Sequence, residues 1–287
     1  MVAANVTSTP VQNVGTIGRS GAVGYMLFND HIATAEAQLI AAFAQLQAAG
    51  VSDLVLDVRY NGGGYLDIAS EVAYMIAGPA PTTGQGFERT MFNDKHPNTN
   101  PVTRRPLTPV PFHTTSLGFS GPQGQPLPTL NLSRVFVLTS PNTCSASEAI
   151  INGLRGVGVE VVQIGTTTCG KPYGFYPEDN CGTTYFSIQF QGVNAQGFGD
   201  YPDGFSPANT GSSPGVPVPG CSVADDFSRA LGDPAEGRLA AALANRVNAS
   251  CPTAAAAATA GRARDLSSAD GVAHKSPWRE NRILRRR

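Results

Sequence analysis

The chain has no apolar run of about 18 residues, so nothing in it reads as a bilayer-spanning helix. Its formal net charge is only −1, which gives no ground for a nucleic-acid or membrane-surface partner. The five cysteines never fall into a CxxC spacing, and no cluster with metal-ligand spacing is visible. No metal is therefore expected. G-x-G-x-x-G is missing, which argues against a dinucleotide site, and no cofactor is expected. The N-terminus, Met-Val-Ala-Ala-Asn-Val-Thr, has neither a charged n-region nor an apolar h-region. It fits a cytoplasmic chain or one whose leader has been removed. No internal repeat is found.

What charge there is lies unevenly. Residues 252–287 carry a formal +5, which leaves −6 on residues 1–251. The acidic part is the globular one, and the Ala-rich, basic tail reads as disordered. Residues 1–20 are polar and read as a linker or a remnant of something upstream. Cys169 and Cys181 lie 12 apart and Cys221 and Cys251 lie 30 apart, at expected turns or ends. Four cysteines allow three pairings. The favoured one joins 169 to 181 and 221 to 251 and leaves Cys144 free, which implies an oxidising compartment and an exported, periplasmic-type location.

Strand and helix patterns alternate. Residues 24–28, 54–58, 134–140 and 159–165 are short apolar runs of the kind buried in parallel sheets. Residues 34–48, 66–77 and 145–156 read as helices. This βαβα order marks an α/β layer fold. Residues 78–130, rich in Pro, Gly, Thr and Asn, read as a surface excursion, a lid or a hairpin. Residues 184–190 alternate as a strand, 191–220 read as loop, and 224–247 as one or two closing helices.

Three loops follow strand ends, where sites form in such sheets. Asn61-Gly62-Gly63-Gly64 exposes backbone amides at a helix start, which suits an oxyanion or a plain tight turn. It is not a P-loop, since no Lys-Ser/Thr follows. Thr143-Cys144-Ser145-Ala146-Ser147-Glu148 places a serine on a strand-to-helix turn, and Ser145-x-x-Glu148 equally fits a helix capping box. Lys171 comes 26 residues later, beside Pro172, Tyr173 and Phe175. Apolar surroundings favour a neutral amine, which can take a proton from a serine hydroxyl. Lys171 as an ordinary solvated loop lysine is the competing reading.

These residues resemble, in order, the motifs of the carboxyl-terminal processing or tail-specific proteases, serine peptidase family S41. Leu56-Asp57-Val58-Arg59-Tyr60-Asn61-Gly62-Gly63-Gly64 resembles the family's Asp-Leu-Arg-x-Asn-x-Gly-Gly loop. Ser145-Ala146-Ser147-Glu148 resembles its nucleophile motif, and Gly165 to Lys171 its Gly-x-x-Thr-x-Gly-Lys segment with one residue inserted. The resemblance covers roughly residues 20–250. It implies Ser145 as nucleophile, Lys171 as general base, oxyanion donors from Ala146 and from Gly63 or Gly64, and an extended polypeptide as substrate. It implies a crotonase/ClpP-like spiral layered core with a mainly parallel sheet, here spanning 21–251. Two departures stand out. Many members place an orienting glutamine where this chain has Phe175, which leaves Glu148 or Tyr173 as substitutes. Members also commonly carry a PDZ domain, for which residues 1–20 leave no room. Relatives of the fold that use histidine point to His31, His96 and His113, none of them near the motifs in sequence. The alternative function is a non-catalytic peptide- or lipid-binding module on the same fold. Oligomeric state is not legible.

Overall fold

The strand runs are largely apolar because both faces of the sheet they build are covered. A computed structural model describes residues 7–18 and 22–251; the basic tail expected to be disordered lies outside the described residues. Along the chain come β1 (Val11–Ile17), β2 (Val23–Phe28), α1 (Ala35–Ala48), β3 (Asp53–Asp57), α2 (Leu66–Ala77), α3 (Pro79–Thr82), β4 (Gly86–Met91) and β5 (Val110–Pro111). The second half holds β6 (Arg134–Thr139), α4 (Ala146–Gly156), β7 (Glu160–Gly165), β8 (Tyr173–Gly174), β9 (Glu178–Asn180), β10 (Thr183–Tyr185) and β11 (Phe190–Val193). It closes with β12 (Phe205–Pro207), β13 (Val216–Val218), β14 (Gly220–Ser222) and α5 (Gly237–Asn248).

The main sheet runs β1-β2-β3-β6-β7-β14, parallel throughout except for the antiparallel edge strand β1. Alternate side chains of each strand enter opposite layers. Met26, Phe28, Leu54, Leu56, Val135 and Val137 pack with α1, α2 and α4. Tyr25, Leu27, Val55, Phe136 and Leu138 pack on the other face with Leu239 and Ala242 of α5. This is the α/β layered core with a mainly parallel sheet that the alternation implied.

Four readings are corrected. Residues 11–17 are not linker but strand β1, whose register slips between Gln12 and Gly15. Asn13 sits there at φ 52°, so the apolar alternation is broken in sequence. The 78–130 segment is no mere surface excursion. Its β4 lies inside a second sheet, β5-β4-β11-β8, and Phe87, Phe112, Leu117 and Leu127 are buried. The 191–220 stretch contains most of β11 and all of β12 and β13. Within 224–247 one helix forms, from Gly237, because Gly232 and Pro234 break the pattern ahead of it.

The 110–127 segment is fastened by acidic side chains. Glu36 accepts from the amides of Leu117 (2.7 Å), Gly118 (2.9 Å) and Ser120 (2.9 Å), and Glu71 from Leu117 (3.2 Å). Asp67 pairs with His113 at 2.9 Å. Burial, then the charge of Glu36, pushes Glu71 up to about 9. A carboxyl raised on folding contributes stability fully below its unfolded value and loses it as pH rises towards 9. Unfolding free energy should therefore fall between pH 5 and 9, by roughly 3–6 kcal/mol from Glu71. Urea melts of wild type and Glu71→Gln check this: the variant should show a clearly flatter pH dependence, and equal slopes would refute it.

Candidate active site

β3, β6 and β7 are neighbours and parallel, so the loops that follow them emerge side by side at one sheet edge. These are the glycine loop, the Ser145 turn and the Lys171 loop. Backbone bonds stitch them together. The Cys144 amide donates to the Asn61 carbonyl (3.1 Å), and the Ser147 hydroxyl donates to the same oxygen (2.9 Å). The Thr143 hydroxyl donates to Val58 O (2.9 Å), the Ser140 hydroxyl to Arg59 O, and the Cys169 amide to Thr143 O (3.1 Å).

Gly63 shows how close the approach is. Its φ is +87°, and a Cβ there would lie 2.7 Å from Cys144 O and 2.8 Å from the Ala146 nitrogen. Only glycine fits. Its amide, however, donates to Asn61 Oδ1 at 2.9 Å. Gly63 thus contributes its missing side chain rather than an oxyanion donor, which corrects the expectation for that residue. Among the described residues the amides of Gly64 and Ala146 make no intramolecular hydrogen bond.

Ser145 is buried and caps α4 at φ 59°, a conformation costly for a non-glycine residue. The capping box forms. The Ser145 side chain accepts the Glu148 amide, and Glu148 Oε2 accepts the Ser145 amide at 2.9 Å. Cap and candidate nucleophile are one residue. A hydroxyl that accepts the N3 amide keeps its own proton to give.

Glu148 does more than cap. Oε2 also accepts the Lys171 amide (2.8 Å), while Oε1 accepts the Gly170 amide (2.8 Å) and the Thr168 hydroxyl (2.5 Å). One fully buried carboxylate therefore holds the serine turn and the lysine loop together through their backbones. Burial pushes this carboxyl above its ordinary range, against the pull of those donors. Burial also pushes the Lys171 amine below the ordinary lysine range, with Glu148 pulling it partly back. Phe175 presents its ring 5.8 Å from Lys171 Nζ and packs edge-on against Phe186. Such a ring face favours the ammonium form, but burial prevails. Tyr173 lies on β8, two residues past Lys171.

The cysteine pairing differs from the expected one. Cys169 is bonded to Cys144, with Cα atoms 5.3 Å apart, while Cys181 is exposed and free on the turn between β9 and β10. The β6 and β7 loops lie adjacent, so the partner across the sheet edge is nearer than the one along the chain. Cys221 is bonded to Cys251.

Two placements were not legible in the sequence, although both residues had been noted there. His31 is buried against the glycine loop. Its amide donates to Gly63 O (3.3 Å), and its carbonyl accepts the Tyr65 amide (2.8 Å). Its Nδ1 lies 2.9 Å from Asn61 Oδ1. Asn61 Nδ2 donates to Phe28 O, so Oδ1 is the acceptor and Nδ1 carries the proton. His113 is paired with Asp67, and His96 sits in the 78–130 segment. The second is Arg59. It is fully buried and bonded to Asp57 (3.0 Å), Asp225 (2.8 Å) and Glu236 (2.8 and 3.0 Å). The acids at 225 and 236 were the available signal, at sequence distances no local pattern reveals.

The described residues include no helix long and apolar enough to cross a membrane. No curated protein matches the chain. A candidate S41 protease from Bacteroides fragilis has a crystal structure that is 27% identical with a TM-score of 0.68, over 86% of this chain and 60% of that one. The present chain thus spans about 60% of that relative's length. The photosystem II D1 C-terminal processing protease is 23% identical with a TM-score of 0.47, over 70% of this chain and 48% of that one. A lipoprotein from Streptococcus agalactiae is 13% identical with a TM-score of 0.45, over 67% and 62%. The model of peptidase family S41 matches residues 22–174, more than half the chain and all three loops of the site. The chain belongs to peptidase family S41.

Proposed function

We propose that this chain is a serine endopeptidase acting on extended polypeptides through a Ser145/Lys171 dyad. The observation that carries the reading is Glu148, whose single carboxylate fixes both the nucleophile turn and the base loop. Neutral Lys171 takes the Ser145 proton as Oγ attacks the scissile carbonyl. The tetrahedral oxyanion is met by the Ala146 and Gly64 amides, at the start of α4 and in the glycine loop. Lys171 then returns the proton to the leaving amine, and an acyl-enzyme remains on Ser145. Water, deprotonated by the same lysine, releases the new carboxyl end. Glu148 serves as a positioning residue, acting through backbone amides and not on substrate. Two disulfides favour an exported, oxidising location for the chain.

A non-catalytic binding module has one feature in its favour, Phe175 where an orienting glutamine was expected. A fluorophosphonate probe separates the two readings. The peptidase should gain one adduct, mapped to Ser145 by peptide mass spectrometry, and should lose peptide hydrolysis in proportion. A protein that hydrolyses nothing and takes no label at Ser145 would be a binder.

A further inference from the structure

We infer that the Cys144–Cys169 disulfide is a positioning clasp for the base, and that the site is competent only while the clasp is closed. This rests on the Ser145/Lys171 reading above. Cys144 immediately precedes the nucleophile and Cys169 lies two residues before the base, so the bond ties the two working loops directly. Beside the clasp, the Lys171 loop meets the serine turn through hydrogen bonds to one carboxylate and through the Cys169 amide on Thr143 O. A covalent bond here restricts the loop where hydrogen bonds alone permit drift. Misplacement of about 1 Å costs a reaction of this kind roughly 100-fold.

The clasp can be reached and opened. Both cysteines are half-buried, unlike the fully buried Glu148 beside them. The reductant is a dithiol. Cys144 stands at the N-terminal end of α4, which favours its thiolate as leaving group. Cys169 Sγ lies 3.5 Å from Glu148 Oε2, where a negative charge disfavours a thiolate. One dithiol sulfur therefore attacks Cys169 Sγ and expels the Cys144 thiolate. The second dithiol sulfur then closes a ring and frees Cys169 as a thiol. Two electrons and two protons pass to the protein, and the dithiol leaves as a cyclic disulfide. The new Cys169 S–H then competes for Glu148 Oε2, the oxygen that holds the Ser145 and Lys171 amides.

The opened trio Cys144, Glu148 and Cys169, with ligand atoms within 4.8 Å of one another, has the composition of a metal site. Yet each Glu148 oxygen already accepts two N–H or O–H donors, so the carboxylate has no lone pair left for a cation. The clasp is consequently read as a redox device and not a metal centre.

The test uses the whole chain in EDTA, titrated with dithiothreitol. Differential alkylation after each assay, read by mass spectrometry, identifies the pair that has opened. kcat/KM should fall about 100-fold in step with opening of Cys144–Cys169, and should recover on reoxidation. The ascending limb of the pH–rate profile should move to higher pH, which simple loosening of the fold would not cause. Cys144→Ala/Cys169→Ala should be equally slow, indifferent to dithiothreitol, and still melt cooperatively. Undiminished kcat/KM with both thiols free, or a loss that tracks Cys221–Cys251 alone, overturns the clasp. If the oxidised chain cleaves nothing, the peptidase reading has failed separately. The clasp is then judged on 13C-methylated Lys171, whose NMR titration should move up towards the ordinary lysine range on reduction. An unmoved titration overturns it.

Discussion

Ser145→Ala and Lys171→Ala should each lower kcat/KM on an unstructured peptide by about 10,000-fold, and the double variant should be no worse than the singles. The non-additivity follows from the dyad. Without the base the hydroxyl is a poor nucleophile, and without the hydroxyl the base has nothing to activate. Lys171→Arg is the sharper control. It keeps the positive charge and much of the length, but a guanidinium does not deprotonate at working pH. It should be as inactive as the alanine variant. On the dyad proposed above only the neutral amine works, so the rate should climb with pH through a lysine value that burial has set below the ordinary one. Initial rates by chromatography across pH 6–10 read all of this. A Lys171→Ala rate within tenfold of wild type would remove the lysine from the mechanism and turn attention to His31, the histidine the fold brings against the glycine loop.

The parallel core was legible because burial on two faces leaves a local signature. Val135-Phe136-Val137-Leu138 is apolar at every position, and its side chains divide between the two layers. The capping box was legible for the same reason, since Ser145 and Glu148 are three residues apart. What could not be read was every interaction that joins loops across the sheet edge. Cys144 finds Cys169 rather than leaving it to Cys181 because β6 and β7 are neighbours, a fact of topology and not of spacing. His31 meets the glycine loop because β2 runs beside β3. Strand β1 was hidden by its bulge, and β4 by the polar turns around it. Glu148 was a candidate for orienting the base, but its route through the amides of Gly170 and Lys171 could not be foreseen from the residue types.

Arg59→Met should cost about 3–5 kcal/mol of stability, because it removes the cation from a cluster of carboxylates and leaves their charge uncompensated. Asp57 and Glu236 are fully buried and Asp225 largely so. Burial pushes Asp57 upward even beside the guanidinium. Tyr25 donates to Asp57 at 2.7 Å and cannot replace a full positive charge. A domain of ordinary stability, about 5–15 kcal/mol, would lose about a fifth of it or more. The physical cause predicts its own remedy. If the penalty is stranded charge and not lost packing, Arg59→Met/Asp57→Asn/Glu236→Gln should recover most of the loss. Glutamine at 236 can still accept the Leu239 amide that now caps α5, so that helix start is preserved. Urea midpoints at pH 7 for the wild type, single and triple variants decide the matter. An unchanged midpoint in the single variant would show that the cluster carries no weight, and a triple variant as weak as the single would show that the guanidinium packs rather than pairs. The cluster also bears on the site. Arg59 stands between Asp57 and the glycines, its carbonyl accepts the Ser140 hydroxyl, and its guanidinium ties the loop to the residue that caps α5. A triple variant that is as stable as the wild type but slower in catalysis would therefore measure how far this ionic anchor steadies the glycine loop that carries Gly64, one of the two oxyanion donors proposed above.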